Sequence, residues 1–405
     1  MTVFRKTRSH GKLINKRKMG MVEMPVQFLA LLNPATGTGE NILSFILSLI
    51  WIAFLMVFFL YPSFGQRMQL GYMLRDLEKK LQKLKSIKDE IQNITVDAVK
   101  REGSPEKDPS KDIERLSEFF LIHPESMDPY GLVYKLEHIL ETGESVYEAE
   151  VARLVPNATE ARVKTLTNLF EILRGINTLY RVVRHYYLLG KKTSNIYLVL
   201  QIQMVLPQLI EIAESYRHAA VAFSKGQPIG DGVGVLVVAK LADGLEKNRY
   251  EIVKDTVIQE LEFENRKVFV VRAAGPAGTV GRPGEAVKRL VESLAQQPKL
   301  IVTIDAALKL EGEETGKIAE GVGVAIGGPG VDKYKIEELA KSRSIPLHAF
   351  VIFQSITEAI TPMKESIAKA ADVVLEKVKK VILEKAEAGD VVVVAGVGNT
   401  VGVGF

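Results

Sequence analysis

Cysteine is absent from the 405 residues, which excludes disulfides, thiolate zinc sites and cysteine nucleophiles. Histidine is scarce: the six present are scattered, at no spacing that builds a zinc cluster. Neither a G-x-x-x-x-G-K-[ST] phosphate loop nor a clean G-x-G-x-x-G turn between strand and helix is found. Net charge is a mild +4, too small to point to a nucleic-acid partner. The excess sits in Met1–Gly20, with seven basic residues and no acid.

What is present falls into blocks. Ile42–Leu60 is uncharged and apolar on every face, long enough to cross a bilayer core of about 30 Å as a helix. We read residues 1–40 as an N-terminal segment and 41–62 as an uncleaved anchor placing a single-pass protein in the cell membrane. The basic start favours an outside location for the bulk of the chain. Initiation at Met19, Met21 or Met24 would remove that segment and reverse the expectation, and the cytoplasm suits the α/β character of the C-terminal half.

Beyond the anchor, Leu70, Leu74, Leu77, Leu81, Leu84, Ile87, Ile91 and Ile94 fall at heptad-like spacing, predicting a coiled-coil-like helix over 66–97. Its seam takes either a second copy, as a homo-oligomer, or the chain's own later helices. Residues 98–111, broken by Pro105 and Pro109, read as a linker. Residues 112–225 read as all helical. Asn157–Glu160 resembles a capping box opening a run that stops at Gly190, and a second run over Ser194–Phe223 carries Pro207. Arg181, Arg184, His185, Lys191 and Lys192 form a basic cluster there, either a solvated helix face or a contact for anionic lipid headgroups.

From Gly226 the composition turns to glycine and valine. Strands are predicted over Lys267–Ala273, Leu300–Ala306, Gly321–Ile326, Leu347–Phe353 and Asp390–Val394, and helices over Gly232–Leu245, Gly284–Gln296, Tyr334–Lys341 and Pro362–Ala388. Continuous apolar strands alternating with helices imply an α/β domain over 226–405, a mostly parallel sheet with helices on both faces, whose ligands bind at strand carboxyl ends.

At those ends stand glycine turns and two carboxylates. Gly230-Asp231-Gly232-Val233-Gly234 places Asp231 at a helix start, where it reads either as an N-cap or as a ligand residue. Asp305 ends the Leu300–Ala306 strand, and Gly327–Gly330 and Gly396–Asn399 end others. A pair such as Asp231 and Asp305 can share a proton and supply one acid and one base.

These motifs resemble those of hydrogenase maturation endopeptidases and the spore germination protease. Gly230–Gly234 resembles their acidic loop opening a helix. Gly396-Val397-Gly398-Asn399 resembles their G-x-G-N strand end, moved here to the C-terminus as in a circular permutation. Asp305-Ala306, Gly327–Val331 and Ile360-Thr361-Pro362 follow in the families' order. The chain as a whole resembles an archaeal membrane-anchored family classed as a domain of unknown function.

The resemblance implies a peptidase-like hydrolase with Asp231 and Asp305 catalytic, and with Gly230, Gly232, Gly328, Gly330, Thr361, Gly398 and Asn399 binding a protein or peptide substrate. No histidine stands in Gly330–Lys333, where a third nickel ligand would fall, so no cofactor is expected and a divalent metal stays open. A membrane-tethered binding or scaffold protein and a nucleotide- or small-anion-binding regulator are the alternatives.

Overall fold

The computed structural model describes residues 40–60, 62–103, 108–122, 124 and 131–404. The basic stretch within Met1–Gly20, the alternative starts and residues 104–107 of the expected linker lie outside them. The chain divides into two compact units, Met1–Gln69 and Leu70–Phe405. In the first, α1 (Glu40–Leu60) is helical over the apolar run, and Phe45, Ile46, Leu49, Ile50, Trp51 and Phe54 are exposed.

The second unit begins within α2 (Pro62–Gly103) and continues through α3 (Ser110–Leu116), α4 (Leu132–Leu154), α5 (Glu160–Thr193) and α6 (Ile196–Lys225). The heptad residues Leu70, Leu77, Leu84, Ile87 and Ile91 are buried in one core with Leu166, Phe170, Ile176, Val199 and Leu206 of α5 and α6. The seam therefore packs on the chain's own helices. Gln203 binding Asp76 at 3.0 Å, and Lys83 pairing with Glu214 at 2.9 Å, set α2 parallel to α6.

Three local expectations are corrected here. α2 runs on to Gly103 because Ala98 and Val99 are buried, so the expected linker begins inside a helix. The N-cap of α5 is Thr159, whose side chain accepts from the Arg162 N–H, not Asn157. Gly190 does not end α5: a Cβ there would lie 2.6 Å from Val199 Cγ2, so glycine lets α5 and α6 approach closely, and Ser194, with φ 52°, caps the helix.

Seven strands form one sheet in the order β1-β2-β3-β7-β4-β6-β5, with β1 Glu246–Val253, β2 Thr256–Phe263, β3 Arg266–Ala273, β4 Leu300–Leu308, β5 Ile318–Gly321, β6 Leu347–Gln354 and β7 Val391–Gly396. The central β3, β7, β4 and β6 are parallel, and β1, β2 and β5 extend the sheet antiparallel. Valine-rich β7 is buried at every position, as a strand covered on both faces must be. One face carries α7 (Val233–Ala242) and α11 (Glu365–Lys385), packed through Val238, Ile304, Phe350, Val374 and Val392. The other carries α8 (Pro283–Ser293) and α9 (Val331–Arg343), through Phe269, Val287, Ile301, Ile336 and Val393.

The β1–β2 hairpin was not anticipated. β1 reads EKNRYEIV and is mostly exposed, a charged edge strand without an apolar run, which suits an edge that must avoid pairing with other chains. The strand expected over Gly321–Ile326 lies earlier, as β5. The ladder ends at Gly321; the chain turns at Gly323, whose φ is 127°, and two N–H groups beyond it go to β4 side chains instead, Ala325 to Thr303 and Gly327 to Asp305. The helix expected from Pro362 starts at Glu365, after a separate short α10 (Ile356–Ile360). Between them the chain is extended and pairs with the segment before α7: Gly230 donates to the Thr361 carbonyl at 3.2 Å and Met363 to the Pro228 carbonyl at 2.9 Å.

Candidate active site

Glycine brings the two aspartates together. Asp231 lies in a single 3-10 turn, Gly230–Gly232, immediately before α7. A Cβ on Gly234 would stand 2.4 Å from both the Ile304 and Val397 carbonyl oxygens, and one on Gly232 would stand 2.7 Å from the Asn399 oxygen. Side chains at these positions would hold the helix start away from the ends of β4 and β7. Gly398, with φ 136°, faces the Asp231 carbonyl from the other side. The Asp231 Oδ2 accepts the Asn399 N–H at 2.8 Å.

Asp305 lies near the end of β4 and is 5% exposed. Its Oδ1 accepts the Ala306 N–H and its Oδ2 the Gly327 N–H, each at 2.7 Å. Burial pushes its carboxyl up to about 7, the neighbouring Asp231 charge adding to the rise and the two N–H bonds opposing it. Asp231 is also raised by burial, against the Asn399 N–H. Two carboxyls that disfavour joint ionisation hold a proton to higher pH than ordinary aspartates do.

The remaining expected residues divide. Gly230, Gly232, Gly398 and Asn399 stand at the Asp231 turn. The Thr361 carbonyl holds the Gly230 N–H, a backbone role that positions the loop. Gly328 and Gly330, with φ 78° and 87°, form the turn that leads into α9 and have open space around their Cα atoms; Gly327 is the member of that loop that touches Asp305. His348, which opens β6, is buried between Glu320 and Lys385. Among the described residues no group of three or more His, Asp or Glu is arranged to hold a metal ion.

Several lining residues come from the helical region, where the sequence offered no signal beyond amphipathic spacing. A cavity of about 340 Å³ opens over Asp231, bordered by Asn168, Glu171, Tyr216, Ile229 and Asn399. A second of about 180 Å³ shares Asn168, Glu171 and Asn399 and extends past Lys164 and Asp255 to Glu144. Asn168 fastens the helical layer to the sheet edge, donating to the Gly278 carbonyl at 2.5 Å and accepting from the Asn399 side chain at 3.2 Å. Ion pairs reinforce this contact, Arg282 with Glu141 at 2.8 Å and Lys254 with Glu148 at 3.0 Å.

At the end of β6, Gln354 is 2% exposed and neither of its amide atoms has a hydrogen-bond partner. It lies against Gly230, where an added Cβ would be 2.5 Å from its Oε1. Glu358 nearby accepts from the Ser355 N–H, the Thr315 hydroxyl and Lys364. Burial alone would raise this carboxyl, but those donors hold it down to about 2. It therefore stays ionised as a structural anchor of α10 and is unsuited to proton transfer near neutrality.

Among comparisons with known proteins, no curated protein matches the chain. Two family models do: residues 49–226 match the N-terminal domain of a protein of unknown function (DUF1512), and residues 229–404 match the C-terminal domain of unknown function (DUF1512). The junction falls at the end of α6, where Gly226 caps the helix with φ 65°. With both domains present in consecutive order over most of its length, the chain belongs to the DUF1512 family.

Proposed function

We propose that the crevice at the carboxyl ends of β4 and β7 is a hydrolytic site in which Asp231 and Asp305 activate water for attack on an amide bond. The observation that carries this reading is the pairing of buried Asp305, its carboxyl raised to about 7 in part by the Asp231 charge, with half-buried Asp231, which borders an open cavity. The ionised partner takes a proton from water and the protonated one delivers a proton to the leaving amine, a division of roles that needs shifted pKa values. Asn399 and the Gly327 N–H orient the pair. The cavity admits an extended segment of a peptide between sheet edge and helical layer. Helix α1, with exposed apolar side chains between Phe45 and Met56, supports tethering of the protein at a membrane.

A second reading has its own support. Three of the four carboxylate oxygens of the pair accept backbone N–H groups, as they would if the aspartates pinned loops around a non-catalytic binding cleft. The nucleotide-binding alternative fits less well, because these carboxylates repel phosphate. Turnover of a peptide library by the full chain separates the first two readings. Asp231→Asn and Asp305→Asn should each lower kcat by about 100-fold or more, the scale of acid–base catalysis. Undiminished cleavage in both folded variants would remove the mechanism, while peptide binding without turnover by the native chain would support the cleft.

A further inference from the structure

The helical region ends in a tip whose surface is unlike the rest of the unit. Helix α6 is long and apolar enough to cross a membrane, the one such helix among the described residues, yet only 22% of its most apolar window is buried. Tyr197, Leu200 and Met204, at helical spacing of three and four, are 77, 46 and 73% exposed. Across the turn, Tyr186 of α5 borders a shallow groove of about 240 Å³ with Leu198, Ile202 and Val205, and Leu188 is 44% exposed.

The α5 and α6 residues of this tip carry charge of one sign, although Asp76 of α2 meets Gln203 of α6 beside them. Between Glu171 and Glu211 no acidic residue occurs, while Arg184, Lys191 and Lys192 crowd the α5–α6 turn. Arg181 pairs with Glu118 at 2.9 Å and Lys191 lies over the Tyr187 ring. Exposed tyrosines and apolar side chains ringed by lysine and arginine have the composition of surfaces that seat in the interfacial layer of anionic bilayers. α2 runs parallel to α6, so the tip is at the same end of the bundle as Leu70. Leu70 follows the apolar run ending at Leu60 by ten residues of chain.

We infer that the α5–α6 tip is a second membrane contact, docking on an anionic lipid surface through Tyr186, Leu188, Tyr197, Met204 and the Lys191–Lys192 pair. α6 does not cross the bilayer, because Val199, Ile202 and Leu206 belong to the bundle core and Glu211, Glu214 and Arg217 lie further along it. The tip rests in the headgroup layer, and the crevice at Asp231 is held at the opposite end of the bundle, near Phe223 and Ile229. This inference does not depend on the chemistry of that crevice.

The absence of cysteine makes the test direct. Leu188→Cys, Tyr197→Cys and, as a control on α11, Val373→Cys each give the full chain one labelling site; all three positions are exposed. The chains are reconstituted in phosphatidylcholine vesicles with and without phosphatidylglycerol. A fluorescent label at 188 or 197 should be quenched by lipids spin-labelled near the headgroup when phosphatidylglycerol is present, and the label at 373 should not. Adding Lys191→Gln and Lys192→Gln should shift the docked–undocked balance by about 30-fold, from roughly fivefold for each basic side chain at an anionic surface. Melting curves confirm that the exposed substitutions leave the fold intact. Quenching at 188 and 197 no greater than at 373 in either vesicle overturns the proposal, as does quenching unaffected by both phosphatidylglycerol and the lysine substitutions.

Discussion

Asp305 carries the sharpest consequence at a single position. Its carboxyl is raised to about 7 in the folded chain from an ordinary value of 3.8, so the folded state holds a proton that the unfolded state has lost between those limits. Stability must then fall as pH rises from about 4 to about 7 and level off above, by a few kcal/mol at roughly 1.4 kcal/mol per pH unit. In Asp305→Asn this dependence should flatten, because the amide does not titrate. A slope of the same sign should persist from Asp231, which burial also raises. Melting temperatures of both proteins at pH 4, 5.5, 7 and 8.5 check this, and parallel curves would mean that Asp305 titrates normally. Both aspartates are legible in the sequence, Asp231 because it stands between glycines at a helix start and Asp305 because it stands near the end of an apolar strand. Gln354 is not, since a glutamine ending a strand says nothing of whether its amide finds a partner.

Between elements, the decisive fit is that of α7 against β4 and β7. A Cβ on Gly396 would lie 2.4 Å from the Gly234 oxygen, and one on Gly234 2.4 Å from the backbone oxygens of Ile304 and Val397. Backbone cannot yield as a flexible side chain can. Gly234→Ala should cost about 3 kcal/mol, the upper part of the range for overpacking, and should displace Asp231 along with the helix start. Chemical denaturation measures the first effect and loss of turnover or peptide binding the second. A variant of native stability would mean that the strand ends shift readily. The glycine-rich character of these turns is plain in the sequence, but the choice between cradling a ligand and admitting another backbone rests on what lies opposite. For Gly396 it is the Gly234 backbone and the Val238 side chain, and for Gly234 the backbone of Ile304 and Val397.

For the molecule as a whole, the helical layer and the sheet are joined rather than strung together. Ile229 and Val401, from the C-terminal domain, belong to the same buried cluster as the α2, α5 and α6 residues. Gly402 meets Pro228 at the junction, where an added Cβ would be 2.5 Å from the proline nitrogen. Leu84→Ala, at a fully buried bundle position, should therefore lower the stability of both domains together by about 2–5 kcal/mol. Scanning calorimetry should show one transition with matching calorimetric and van't Hoff enthalpies. Two separated transitions, only the lower one shifted, would show that the domains unfold independently.

The apolar run of α1, the heptad spacing of α2, the amphipathic helices and the valine-rich parallel strands are properties of local order, written in periodicity that any reading of the chain recovers. So are the two aspartates, because turn chemistry is local. What covers the α2 seam is not: the same leucines serve a second copy or the chain's own α5 and α6, and long-range packing selects the latter. The β1–β2 hairpin escaped notice because an edge strand gains its stability from a neighbour's ladder rather than from its own hydrophobicity. Asn168, Glu171 and Tyr216 enter the candidate site from helices far earlier in the chain than Asp231. Their side chains carry no mark of that role, since contact between distant segments depends on how two cores close on each other and not on residues adjacent in sequence.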